Sequence, residues 1–172
     1  MTKPVNNMLA KTSRAMRFVP QAVKRTVLTQ TLGRVVPYLN TSGVQFETLE
    51  PLKVEVSLKN TRAVQNHIGQ VHAVAMVLLA ETSTGFVVGI NLPTDKICLI
   101  KTADISYRRP SQGNMRAVAT LTEEQASQIQ QQEEGEVLVN CQVFDESGKE
   151  PMQANMTWAW ISKAKLAAKR KG

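Results

Sequence analysis

Cysteine and histidine are scarce in this chain, two of each among 172 residues. Cys98 and Cys141 form no CxxC pair and have no third or fourth ligand nearby, which argues against a zinc site. A nucleophilic cysteine is equally poorly supported. Both read as small sheet residues of a reduced, cytoplasmic protein, with no metal and no cofactor expected. Long apolar runs are missing too. The longest candidate, Ala73 to Leu92, is broken by Glu81, Thr82, Ser83, Thr84, Gly85 and Gly89. It therefore falls short of the roughly 18 uncharged residues of a membrane span. Acids are absent from both ends. Residues 1–46 hold Lys3, Lys11, Arg14, Arg17, Lys24, Arg25 and Arg34, and residues 163–172 hold Lys163, Lys165, Lys169, Arg170 and Lys171. These ends carry +7 and +5 of a total of +7, leaving −5 for residues 47–162. Basic ends suit plain solvation or peripheral contact with an anionic membrane surface. No aromatic interleaves with the C-terminal basic run, so specific nucleic-acid binding is not indicated.

What is present divides the chain into a helical lead over 1–43, a main domain over 44–162 and a basic tail over 163–172. In the lead, Leu9, Met16, Val19, Val23, Val27 and Leu32 recur at helical spacing. Pro20 interrupts this pattern and Pro37 ends it, which predicts two short amphipathic helices. One strand stretch follows, with Leu52, Val54, Val56 and Leu58 alternating against Lys53, Glu55, Ser57 and Lys59. Asn60 to Gln70 reads as loop, and Val71 to about Val88 as a helix apolar nearly all round. Further strands are expected over Ile97–Tyr107, Met115–Leu121, Val137–Phe144 and from Met152 to Trp160. In the first of these, Ile97, Leu99, Ala103, Ile105 and Tyr107 are expected on one face. Between the second and third, Thr122 with Glu123 and Glu124 opens a short helix that Gly135 should stop. Short links between strands imply a mainly antiparallel sheet beside a buried helix, an α+β fold.

From Val71 to Leu92 the only ionisable residues are His72 and Glu81. A carboxylate in an apolar helix is costly to bury unless it is paired or used. Glu81 is therefore the first candidate for chemistry. Before it stands Asn66-His67-Ile68-Gly69-Gln70-Val71-His72, with the acid nine positions after His72.

This run resembles the signature of hotdog-fold acyl-CoA thioesterases of the PaaI type, which read Asn-x-x-Gly-x-x-His-Gly-Gly and then an acid within Leu-Ala-Asp or Leu-Ala-Glu. Here the last piece is Leu79-Ala80-Glu81. Tyr107-Arg108-Arg109-Pro110 resembles the family's Tyr-x-x-Pro, and Val143 to Lys149 its final hairpin. Ala73 and Val74 replace the two glycines. The basic lead fits a less characterised branch of the superfamily. The resemblance implies a curved antiparallel sheet wrapped around a central helix, a homodimer or dimer of dimers, and an acyl-CoA or acyl-carrier thioester as substrate. It implies Glu81 as general base or nucleophile and Asn66 as the group orienting water or carbonyl. Gly69, His72 and the Ala73 and Val74 amides would line the carbonyl site at the helix start. Arg108 and Arg109 would meet the CoA phosphates. Each has a structural alternative: Glu81 as a hydrogen-bonded buried acid, Asn66 as a loop cap, His72 as a helix cap, and the arginines as solvated strand-end charges. A non-catalytic hotdog protein that binds an acyl ligand or a protein partner is the other function class.

Overall fold

The computed structural model describes residues 5–169. Lys3, Arg170 and Lys171 of the basic ends lie outside the described residues. Three helices lead: α1 (Met8–Met16), α2 (Gln21–Val35) and α3 (Pro37–Ser42). The pattern of α2 ends before Pro37, as expected, and Pro37 opens a third helix where two were expected. Its fixed φ suits the first helical position, where no N–H is needed. Gly43, at φ 76°, closes α3 in the left-handed region. Two strands follow where one was expected, β1 (Gln45–Glu50) and β2 (Lys53–Leu58). The central helix α4 spans Ala73–Asn91, then come β3 (Lys96–Tyr107), β4 (Met115–Thr120), α5 (Glu123–Gln131), β5 (Glu134–Asp145), β6 (Met152–Ser162) and α6 (Lys163–Lys169). The segment expected as a basic tail is thus helical in its described part.

The six strands form one sheet in the order β1-β2-β4-β5-β6-β3, with every pairing antiparallel. By length and hydropathy alone α4 could cross a membrane. Here it packs on β2, β4, β5 and β6, and buries Met76, Leu79, Ala80, Val87, Val88 and Ile90. The inward faces of β1, β2, β4, β5 and β6, with Leu28, Leu32 and Leu39 of the lead, supply the rest of the core. Met152, Ala154, Met156, Trp158 and Trp160 alternate inward along β6 as the sequence pattern requires. Asn7 ties the lead to this core. Its Oδ1 accepts from the Ala10 amide at 2.8 Å and caps α1. Its Nδ2 donates to the carbonyls of Gly89 (2.7 Å) and Leu92 (2.8 Å) at the end of α4, the first of which also accepts from the Leu92 amide.

Two sequence expectations fail for local reasons. Gly135 does not stop α5, which ends at Gln131; it lies in β5, where a Cβ would come within 2.5 Å of the Trp160 ring. The one-faced alternation expected for β3 is broken by a bulge at Lys101, between Ile100 and Thr102. Cys98 and Ile100 therefore pair with inward Trp160 and Trp158, and Ile97 and Leu99 fall on the opposite face.

Lys96, at the start of β3, is buried, and its ammonium donates to the carbonyls of Ile129 (3.0 Å), Gln130 (2.9 Å) and Gln132 (2.8 Å). It thus closes the negative end of α5. Burial holds its pKa below the usual lysine value, and Asp95 and Glu133 pull it partly back. Lys96→Met keeps the stem but takes a donor from all three carbonyls; Gln132 keeps the Trp160 Nε1–H at 2.9 Å, while those of Ile129 and Gln130 lose their buried cation. It is expected to cost about 2 kcal/mol, read as a lower urea midpoint at unchanged slope.

Candidate active site

The approach to α4 is a tight loop. Gln65 and Val71 bridge its ends, and the His72 amide donates to the Val64 carbonyl at 2.8 Å. Inside it, Asn66 Oδ1 accepts from the amides of Ile68 (3.0 Å) and Gln70 (3.1 Å). Gly69, at φ 77°, makes the reversal that an L side chain would strain. Asn66 Oδ1 thus holds the loop before α4. His72 is the N-cap of α4, and its Nδ1 accepts from the Val74 amide at 3.1 Å. The ring proton therefore sits on Nε2. The Val74 N–H thus already has an acceptor within the chain. The Ala73 and Ala75 amides also head the helix, without intrahelical acceptors. Tyr107, at the end of β3, donates its hydroxyl to the Ala73 carbonyl at 3.2 Å and so fixes strand to helix start.

Glu81 lies nine residues further along α4, about 13 Å from His72 at 1.5 Å rise per residue. Glu81 and the start of α4 are therefore about two and a half turns apart. Glu81 lines an apolar cleft of about 290 Å³ between α4 and the helical lead, together with Leu9, Val36, Leu39, Phe86 and Trp158. Its carboxylate has no hydrogen-bond or ionic partner among the described residues. Burial raises its pKa above the ordinary glutamate value, and no cation opposes the shift. A carboxylate in this setting takes up a proton more readily than one in water, as a general base must.

The two arginines part company. Arg109 Nη1 is bound to the buried Asp145 carboxylate at 2.5 Å, whereas Arg108 is exposed and bonded to Gln153. Arg109 is thus already committed within the fold. Burial pushes both thiols up, Cys141 to about 11, so neither is a thiolate near neutrality.

Thr82 escaped sequence reasoning. It also lines the cleft, is 2% exposed, and its hydroxyl has no partner among the described residues. Its only signal was its place in Glu81-Thr82-Ser83-Thr84, a polar run inside an apolar helix.

Comparison with known proteins agrees with this architecture. No curated protein matches the chain in sequence. A crystal structure from a structural-genomics effort is 26% identical, with a TM-score of 0.70 over 91% of this chain and 99% of that one. A Pseudomonas aeruginosa protein of unknown function, described as a probable thioesterase, is 22% identical, with a TM-score of 0.71 over 84% and 97% of the two chains. A thioesterase from Haemophilus influenzae is 16% identical, with a TM-score of 0.64 over 78% and 90%. The family model described as Domain of unknown function (DUF4442) matches residues 24–161. The chain belongs to that family and has the hotdog fold.

Proposed function

We propose that this protein hydrolyses acyl thioesters, carried on CoA or on a carrier protein, with Glu81 as the general base. The observation that carries this is the lone, desolvated Glu81 carboxylate facing an apolar cleft. Glu81 takes a proton from water as its oxygen attacks the thioester carbonyl. The tetrahedral intermediate then expels the thiolate, which recovers the proton as free thiol and leaves a carboxylic acid. Direct attack by Glu81, through an anhydride that water reopens, gives the same products.

The oxyanion is assigned to a second copy of the chain. The distance along α4 keeps the helix-start amides away from Glu81 within one protomer. A 12-residue edge strand, β3, offers Leu99 (69% exposed) and Ile100 (39%) with no neighbour on its outer side. Pairing β3 with its copy would cover this edge and bring the Asn66 Nδ2 and Ala73 amide of one copy toward Glu81 of the other. Arg108, uncommitted to any buried acid, is the residue left to meet CoA phosphates. The two free cysteines suit a reducing, cytoplasmic setting.

The inward-turned Asn66 Oδ1 and the occupied Val74 amide favour a second reading, an acyl-binding protein without turnover. A panel of acyl-CoA and acyl-carrier thioesters, assayed for thiol release beside sedimentation of the protein, separates the two. Release with a dimer is expected; a dimer that releases no thiol from any member would establish the binding reading.

A further inference from the structure

We propose that the cleft beside Glu81 is an acyl-chain chamber walled by the N-terminal helical lead, with the Thr82 hydroxyl as its polar contact to the carbonyl end of the chain. This rests on the thioester reading above and adds the class of acyl group, a linear chain of medium length.

The chamber has a built outer wall. Leu9 of α1, Val36 at the α2–α3 junction and Leu39 of α3 face the Glu81 side of α4. Asn7 pins α1 there through the Gly89 and Leu92 carbonyls. Two glycines fix its shape. A Cβ at Gly85 would stand 2.7 Å from the Trp158 ring, and one at Gly89 would stand 3.1 Å from Leu9 Cδ1. Trp158 therefore lies flush on α4, locked by its Nε1–H donating to Thr84 Oγ1 at 3.0 Å. Leu9 closes the end over Gly89. The volume of about 290 Å³ equals that of roughly ten water-sized groups at about 30 Å³ each, the scale of a chain of about eight to ten carbons. Apart from Glu81, Thr82 and the Cys98 thiol, the lining is apolar, as a chain-binding pocket requires.

Thr82 supplies the second, independent observation. Ser83 and Thr84 both return their hydroxyls to the Ala80 carbonyl, at 3.2 and 2.7 Å. Thr82 does not, and its Oγ1 is buried without a partner among the described residues. Buried hydroxyls are rarely left so, because the loss of water is uncompensated. Thr82 adjoins Glu81 on the same cleft, and a turn of its side chain toward the cleft would let the hydroxyl donate to a ligand carbonyl oxygen beside the reacting acid.

The test uses non-hydrolysable S-(2-oxoalkyl)-pantetheines of four to fourteen carbons, which keep a ketone and the arm common to CoA and carrier proteins. By calorimetry, affinity is expected to rise with chain length to about eight to ten carbons and then stop rising. Leu9→Trp should move that limit to shorter chains and leave the four-carbon analogue within about twofold. Thr82→Val should weaken the ketones about tenfold and leave S-alkyl analogues, which lack the carbonyl, unchanged. Val36→Phe serves as the wall variant if Leu9→Trp does not fold. Affinity independent of chain length, or equal losses at every length in the wall variants, would overturn the chamber. Equal effects of Thr82→Val on ketones and S-alkyl analogues would overturn the Thr82 contact. Chain-length-dependent binding without thiol release from the matching thioesters would retire the hydrolase and keep the chamber. Release without length dependence would do the reverse.

Discussion

Glu81→Gln is expected to lower kcat/KM for thioester hydrolysis by about 10²- to 10⁴-fold, the usual contribution of a positioned general base, and to make the protein more stable at neutral pH. The two effects share one cause. Desolvation raises the Glu81 pKa in the fold above its value of 4.5 in water. An acid with a raised folded pKa holds its proton more tightly folded than unfolded. Its neutral form is accommodated fully at pH below 4.5, and stability is lost as pH rises through the folded value. Gln has the same shape and no charge to desolvate. The stability gap between Glu81→Gln and the parent should therefore be absent near pH 4 and grow toward pH 8, read by denaturant titration at each pH. In the parent, kcat/KM should rise with pH on a limb whose apparent pKa lies above that of free glutamate. A Glu81→Gln enzyme with parental rates would remove Glu81 from the mechanism.

The largest stability loss is expected from Asp145→Asn, about 3 kcal/mol at pH 7, the range for breaking a buried ion pair. The Asp145 carboxylate is buried and fully engaged. One oxygen accepts from Arg109 Nη1 (2.5 Å) and the Gln112 amide (3.0 Å), the other from the Ser147 amide (3.0 Å) and hydroxyl (2.6 Å). It therefore ties the turn after β3 to the β5–β6 hairpin. Asn would set an N–H₂ against one pair of donors and leave Arg109 without its counter-charge. Burial alone would raise the Asp145 pKa, but the hydrogen bonds from Ser147, Arg109 and Gln112 outweigh it and hold the group at about 2. With the folded pKa depressed, this stabilisation is present above the unfolded value of 3.8 and is lost as pH falls toward 2. Unfolding free energies of parent and Asp145→Asn should thus converge between pH 4 and pH 2. A constant difference across that window would assign the cost to shape rather than charge.

Regular alternation and capping were legible in the sequence. The inward series ending in Trp158 and Trp160 fixed β6, and Thr122 with Gln125 forms the capping box that starts α5. Bulges hid the rest. In β1 the register slips between Phe46 and Thr48, so the buried residues Phe46 and Leu49 stand three apart and no period of two survives. The Lys101 bulge reversed half of β3 in the same way. Glu81 was legible because a lone acid in an apolar helix is conspicuous. The occupied Val74 amide was not, because it depends on the rotamer of His72. The orphaned Thr82 hydroxyl was hidden for a like reason, since a helical threonine ordinarily returns its hydroxyl to the backbone.

The strand order carries a consequence for synthesis. Within the chain, β3 has a single sheet neighbour, β6, whose last residue is Ser162. On the ribosome, β1, β2 and α4 emerge early, but β3 stays without a sheet partner until β4, α5, β5 and then β6 have followed it out. For that interval two bare edges are presented at once, with Leu99 and Ile100 among the exposed groups, a state prone to premature pairing between nascent chains. Chaperone demand during translation should accordingly track residues 96–107 more closely than the apolar central helix.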